Sequence, residues 1–362
     1  MKARFNYIMG DPAPIDPNKL ITKVKFASAP SSAVAAIAPR KFNKKNHWAF
    51  EWDDASSGAV TGLGILNNAF YTDGCGNSIN YSGTLAINGA NENTPEAYPL
   101  DGYAYSGADG RASLTQMITM INAGWEISDH SYYHDPVGKG ALYTAYQMTV
   151  MMQTYIQERL NYWTRSKVVP TNYAGHATAA RDLGYLYSTS QGTFDSFTAE
   201  WVFAPPGNWV NVPADFAPLR RDFTDNWPGS LTNLQNMVTT LKAATGKFFR
   251  VGSHTINTTA FQSLVDFLVA NSGDEFLVSS TREWLEYDEV RVQPITQSLL
   301  GDTLTITSDL TGLDPKNRWR DLSFNITSDQ TIESVTTVGG DSSSFNPATG
   351  LVNVFKQINE WL

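Results

Sequence analysis

The chain changes its hydrophobic period near Val290. Before that point, helical stripes alternate with short apolar runs. HWAFEW is a compact apolar run ending in two aspartates, and it predicts a buried strand with carboxylates at its C-terminal edge. SLTQMITMINAGWEIS predicts a helix that stops near Gly124 and gives way to a strand leading into DHSYYH. ALYTAYQMTVMMQTYIQERLNYWT predicts one long amphipathic helix whose methionine stripe belongs to the core. ATAARDLGYLYSTS reads as a shorter helix, a glycine and a strand, and SLTNLQNMVTTLKAATG as a helix followed by the strand KFFRVGSH. TAFQSLVDFLVANSGDEFLVSSTREWLEY adds a helix, a short strand and a helix. This alternation implies an α/β layer or barrel with a largely parallel sheet.

Past Val290, strands of period two separated by Gly, Asp, Ser and Pro predict a small antiparallel β-sandwich. The boundary falls between Tyr287 and Gln293. The expected organisation is an extension with loops over 1–41, an α/β domain over 42–290 and an accessory sandwich over 291–362. Within the extension, LITKVKFA reads as a short strand and DPAPIDP as a polar loop. Between Ser56 and Asp109 the richness in Gly, Asn, Ser and Tyr predicts long surface loops with short strands and no regular helix.

Composition narrows the function. A formal net charge of -9 with no basic run argues against nucleic acid. No apolar stretch is long enough for a membrane span. The single cysteine, Cys75, excludes an intrachain disulfide. MKARFNYIMGDPAPIDP has no apolar segment of the signal-peptide kind. The 10 Trp and 16 Tyr serve core packing for the most part, with sugar stacking as the alternative for exposed rings.

Two of the five histidines, His130 and His134, stand four residues apart in HSYYH. An i, i+4 pair lies on one face of a helical turn, where both imidazoles reach one cation; such pairs also occur as plain surface residues. Zinc needs a third protein ligand and an open position, and Asp53 and Asp54 are candidates. Paired aspartates otherwise form a solvated turn or a helix cap, but these follow an apolar strand. His254 follows another apolar strand in FRVGSHTI, so all these groups sit at the strand edge that carries sites in α/β sheets and barrels.

From Phe42 to Tyr287 the sequence resembles the polysaccharide deacetylases, the metal-dependent esterases and amidases of carbohydrate esterase family four with the NodB-homology domain. The residues that carry the likeness are FEWDDA, HSYYH, and GSH with the later FLVSSTREWLEY. The resemblance implies a distorted (β/α) barrel of the polysaccharide deacetylase type, joined here to the small C-terminal β-sandwich. It implies Asp54, His130 and His134 as ligands of one divalent metal, zinc first, with cobalt, nickel or manganese as alternatives. It makes Asp53 the general base and His254 the general acid, with Ser131 supporting the ligands. The family's third motif is Arg-x-Pro-aromatic. Here KVVPTNYAGH keeps Pro170 but has Val168 at the arginine position, with Tyr173 later than expected and Arg165 and Lys167 out of register. RRDFTDNW stands for the fourth motif, with Asp222 or Asp225 as the carboxylate and Trp227 as the aromatic. Arg220 or Arg221 stands as the replacement for the missing arginine.

The expected function is metal-dependent removal of N- or O-acetyl groups from a polysaccharide or oligosaccharide. The alternative is a weak or inactive carbohydrate-binding or attachment protein that retains the fold, favoured by the altered third motif. A different metal hydrolase on the same barrel is a third reading. Such activities place the protein outside the cell, in the cell envelope or on a virion, with the export signal absent from this chain. The sugar, the acetyl linkage and the oligomeric state are left open.

Overall fold

The computed structural model describes residues 16, 18–90, 110–134, 138, 140–192 and 219–358. In chain order the elements are β1 (Lys19–Phe26), β2 (Ala33–Ile37), β3 (Asn46–Trp52), α1 (Gly58–Leu66), β4 (Phe70–Thr72), β5 (Ser78–Asn80), β6 (Thr84–Ile87) and α2 (Leu114–Asn122). Then come β7 (Glu126–Asp129), α3 (Ala145–Leu160), β8 (Ser166–Val168), α4 (Ala174–Asp182), β9 (Tyr187–Gly192), β10 (Leu219–Phe223) and α5 (Trp227–Lys242). β11 (Phe248–Ser253), α6 (Thr258–Asn271), β12 (Phe276–Val278) and α7 (Thr281–Val290) complete the α/β part. The remaining strands are β13 (Ile295–Leu300), β14 (Thr303–Asp309), β15 (Leu322–Ser328), β16 (Ile332–Val338), β17 (Ser342–Asn346) and β18 (Leu351–Phe355).

Seven parallel strands close into a ring in the order β3-β6-β7-β8-β9-β10-β11, and β11 returns to β3 from Phe248↔His47 to Ser253↔Trp52. β12 takes the N-terminal half of the β3 edge that β6 takes further on, which distorts the barrel. Every residue of β3 is buried, because alternate side chains meet two interiors. Trp48, Phe50 and Trp52 pack outward: the Trp52 ring lies 5.4 Å from Trp125 and 5.5 Å from Phe261. His47 and Glu51 face inward, where Glu51 accepts hydrogen bonds from Thr189 and Thr281. The inside of this barrel is therefore partly polar, and burial pushes the Glu51 carboxyl up against the opposing charges of Arg221 and Arg250.

The segment after Ser56 contains a helix where loops were expected. In GAVTGLGIL the glycines lower helix propensity, but Gly62 lets α1 lie on the Trp52 ring, where a Cβ would come within 2.8 Å. Tertiary packing overrides local preference here. Residues 91–109 of that same segment lie outside the described residues, as does most of DPAPIDP.

The sandwich has two four-stranded sheets, β13-β14-β1-β16 and β17-β18-β15-β2. The stretch before residue 42, expected as an extension with loops, thus gives one strand to each sheet. β1 lies between β14 and β16 and buries Leu20, Val24 and Phe26 against Ile306, Phe324 and Val352. A C-terminal segment alone does not make this core. α7 fills the seam between barrel and sandwich. Its sequence TREWLEYDEV is highly charged, yet nearly all of it is buried, because each charge finds a partner. Glu283 and Asp321 grip Lys41, Arg282 donates to Glu286 at 2.7 Å, and the Trp319 and Arg318 amides also bond Glu286, each at 2.9 Å. No helix among the described residues is long and apolar enough to cross a membrane.

Candidate metal centre

Strand ends β3, β7, β10 and β11 bring the chemistry to one rim of the barrel. After β3 the chain turns through two left-handed residues, Asp54 at φ 58° and Ala55 at φ 53°. Ala55 is pinned on both sides, its N–H to Ala86 and its carbonyl to Ala112. Aspartate tolerates this region better than most residues, and strained backbone at a site needs such pinning. The turn is also tied to β11: the Asp53 amide donates to the Ser253 carbonyl at 3.0 Å, and Ser56 Oγ donates to the His254 carbonyl.

The histidine pair is held differently from the expectation. HSYYH forms no helical turn; Ser131 is left-handed at φ 71°, and Tyr133 bridges to Ala90. The bend still brings the two rings to 5.0 Å in an edge-to-face arrangement. Ser131 supports the loop through its amide, which bonds Asp129 at 2.6 Å, while its buried hydroxyl has no partner. Asp129 is in turn fixed by Lys167 and Tyr185, so Lys167 is part of the floor beneath the histidines. His130 Nδ1 donates to the Val168 carbonyl at 2.9 Å, which leaves Nε2 with its lone pair free toward the cluster.

Three imidazoles converge on one carboxylate. Asp54 Oδ1 is 3.4 Å from His130 Nε2 and 3.5 Å from His134 Nε2, and Asp54 Oδ2 is 3.6 Å from His254 Nε2. Ligand atoms of Asp54, His130 and His134 all lie within 4.8 Å of one another. His130 Nε2 and Asp54 Oδ1 are buried yet have no hydrogen-bond partner. A tetrahedral shell with bonds of about 2.0–2.1 Å spaces its ligand atoms about 3.3 Å apart. Spacing, orphaned lone pairs and donor types therefore fit one divalent cation. Burial opposes it, but the neighbouring His130, His134 and His254 hold the Asp54 carboxyl well below the usual carboxylate range.

Asp53, the residue before Asp54, is buried. Arg221 of β10 grips it with two parallel bonds, Nη1 to Oδ1 at 2.6 Å and Nη2 to Oδ2 at 2.8 Å. Of the two arginines expected to replace the missing one, Arg221 is placed on Asp53; the side chain of Arg220 lies outside the described residues. Arg165 turns toward the sandwich and pairs with Glu289 at 2.7 Å.

His254 is oriented by Asp225, which accepts from His254 Nδ1 at 2.9 Å and from its amide at 2.8 Å. The Trp227 indole bonds the Thr255 carbonyl at 3.0 Å and packs beneath this loop. Asp222, the other candidate carboxylate, does not reach His254. It alternates with Arg221 on β10, is buried with neither oxygen bonded, and burial pushes its carboxyl up to about 7. Pro170 opens the turn after β8, and Tyr173 is exposed with its ring edge-on to His176.

No family model matches the sequence, and no curated protein matches it. The fold is similar to solved family-four carbohydrate esterases at low identity. A putative polysaccharide deacetylase from Mycobacterium smegmatis is 13% identical with a TM-score of 0.41, over 74% of this chain and 96% of that one. PdaA of Bacillus subtilis, a family 4 carbohydrate esterase, is 12% identical with a TM-score of 0.37, over 69% and 84%. A mutant of a Bacillus anthracis pseudoenzyme of the same family, with restored enzymatic activity, is 15% identical with a TM-score of 0.40, over 67% and 68%. At this level the likeness transfers no residue's role.

His176 had no sequence signal. It is fully buried beside the cluster with both ring nitrogens unbonded. Burial, then the charges of Lys167, His130 and His134, push its pKa down to about 2.

Proposed function

We propose that this protein is a metal-dependent deacetylase that hydrolyses N- or O-acetyl groups on a polysaccharide or oligosaccharide. The observation that carries the reading is the arrangement around Asp54: a ligand triad, with Arg221 gripping the adjacent Asp53 and Asp225 orienting a His254 whose Nε2 lies 3.6 Å from Asp54. Asp54, His130 and His134 would hold the cation, with zinc the best match to two imidazoles and a carboxylate. When bound, the cation polarises the acetyl carbonyl and acidifies a water.

The protein's own groups divide the proton work. Asp53 takes a proton from the attacking water, and Arg221 fixes the direction of its lone pairs. His254 acts as the acid in its imidazolium form: Nδ1–H donates to the Asp225 carboxylate, which stabilises the charge, and the Nε2 proton goes to the departing nitrogen or oxygen. Water adds to the acetyl carbon, the C–N or C–O bond breaks, and acetate leaves with the freed amine or alcohol.

Val168 at the family's arginine position favours the rival reading, an inactive carbohydrate binder. Arg221 offsets that feature, because it supplies a guanidinium to Asp53 from another strand. The test is turnover of a generic acetyl ester and an acetylated oligosaccharide by the full chain, before and after chelation and with added zinc. Chelator-sensitive turnover restored by zinc supports the reading. Turnover that is absent, or unaffected by chelation and by His130→Ala with His134→Ala, refutes it.

A further inference from the structure

Beside the metal centre lies an aromatic groove that none of the catalytic groups uses. Its walls are Tyr143, Tyr146, Gln147, Val150 and Met151, at the start of α3 and just before it. Tyr143 and Tyr146 are 37% and 46% exposed and Leu142 beside them 76%, an unusual concentration of bare apolar surface. The groove wall packs against the loop that carries the histidines. Tyr133, one residue before His134, stacks on Tyr143 at 5.7 Å with 19° between the rings. Tyr133 is also braced edge-on by Tyr132 at 5.1 Å. The loop that carries both histidines and the wall of the groove are thus one packed unit.

We infer that this groove is a distal subsite that stacks a neutral pyranose unit of a carbohydrate chain whose acetylated residue lies at Asp54, His130 and His134. The inference rests on the deacetylase reading for the orientation of the chain, but not for the binding itself. Among the described residues that line the groove none is charged, and four of the five are aromatic or aliphatic, which suits the apolar face of a neutral sugar. The exposed Tyr143 and Tyr146 offer flat aromatic faces of the kind that pack on the C–H face of a sugar, and each carries a hydroxyl able to bond the sugar's own. A protein partner is the poorer occupant, since a stable interface takes about 20–30 residues a side and the patch counts six among the described residues. The substrate is therefore an oligomer or polymer in preference to a single sugar.

The experiment is a calorimetric titration of the full chain carrying Asp53→Asn, which keeps the ligand set but does not consume substrate. The probes are N-acetylglucosamine oligomers and acetylated xylo-oligosaccharides of one to six units. Affinity is expected to rise in a step once the chain is long enough to reach the groove. Tyr146→Ala should remove that step, weakening the long oligomers about 3- to 10-fold while leaving the monomer unchanged. Tyr146→Phe, which keeps the ring face, should retain it. Tyr146 is half exposed, and a melting temperature equal to the parent's checks the fold. The absence of binding, the lack of a length step, or a step that survives Tyr146→Ala overturns the inference. So does concentration-dependent self-association that Tyr146→Ala abolishes without any oligomer binding. A length step lost in Tyr146→Ala, in a protein whose unmutated chain shows no turnover, keeps the subsite and rejects the hydrolase.

Discussion

Replacing Arg221 by methionine removes a guanidinium whose two bonds to Asp53 are 2.6 and 2.8 Å long. The side chains are 0% and 3% exposed, so neither charge has water to fall back on. Deleting one member of such a buried pair costs about 3–5 kcal/mol, chiefly because the other charge is stranded. Glu51, 3.6 Å from Arg221 Nε, loses a counter-charge at the same time. Arg221→Met should therefore lower the unfolding free energy by about that amount. It should also cut turnover by about 10²–10⁴-fold, the usual contribution of a positioned base. Arg221→Lys restores a charge but not the two-pronged grip, and should fall between. Urea denaturation and turnover at matched metal content, run as a double-mutant cycle with Asp53→Asn, separate the effects. A coupling free energy below about 0.5 kcal/mol would show that the two residues act independently, and the assignment of Arg221 as the orienting group would fail.

The acid side responds to the leaving group: His254→Ala should impair an acetamide more than an activated aryl acetate, and Asp225→Asn should do so more weakly. Equal losses on both substrates would leave His254 a structural role. Stability should fall in acid through His47, whose pKa burial and Arg250 push down to about 3. Its neutral form is favoured in the folded state, so that stability is whole above pH 6.5 and declines toward pH 3, by at most about 1.4 kcal/mol per pH unit. His47→Gln should flatten this part of the pH–stability curve; an unchanged slope would count against it. Truncation after Val290 takes β14 and β16 from β1 and Asp321 from Lys41. It should give insoluble protein, and a soluble, active truncation would mean that the seam contributes little.

The strand-end aspartates and histidines were legible because each follows a short apolar run, and a polar residue at that point has few places to go except the barrel rim. Pairings across the barrel were not. Asp53 and Arg221 are 168 positions apart, and nothing local marks one of two adjacent arginines as the inward one. Asp222 and Asp225 have the same chemistry, and only the alternation of β10 and the turn after it separate them. The spacing of His130 and His134 fits a helical turn equally well, and the left-handed Ser131 that decides the matter has no sequence signature. α1 was hidden by its glycines, whose value appears only against Trp52. SSSFN, the strand β17, lacks the apolar alternation that marked its neighbours.

The place of β1 in the sandwich has a consequence for how the protein is made. Lys19 pairs with Asp309, 290 positions further along the chain. At synthesis rates of about 5–20 residues per second, the first strand waits roughly 15–60 seconds before its partner has emerged. Throughout that interval Leu20, Val24 and Phe26 have no native surface to cover them. During that time the strand is exposed to off-pathway association, as any unpaired strand with apolar side chains is. A chain that stops before β14 and β16 lacks both partners of this strand, although all of Asp54, His130, His134 and His254 have already been made.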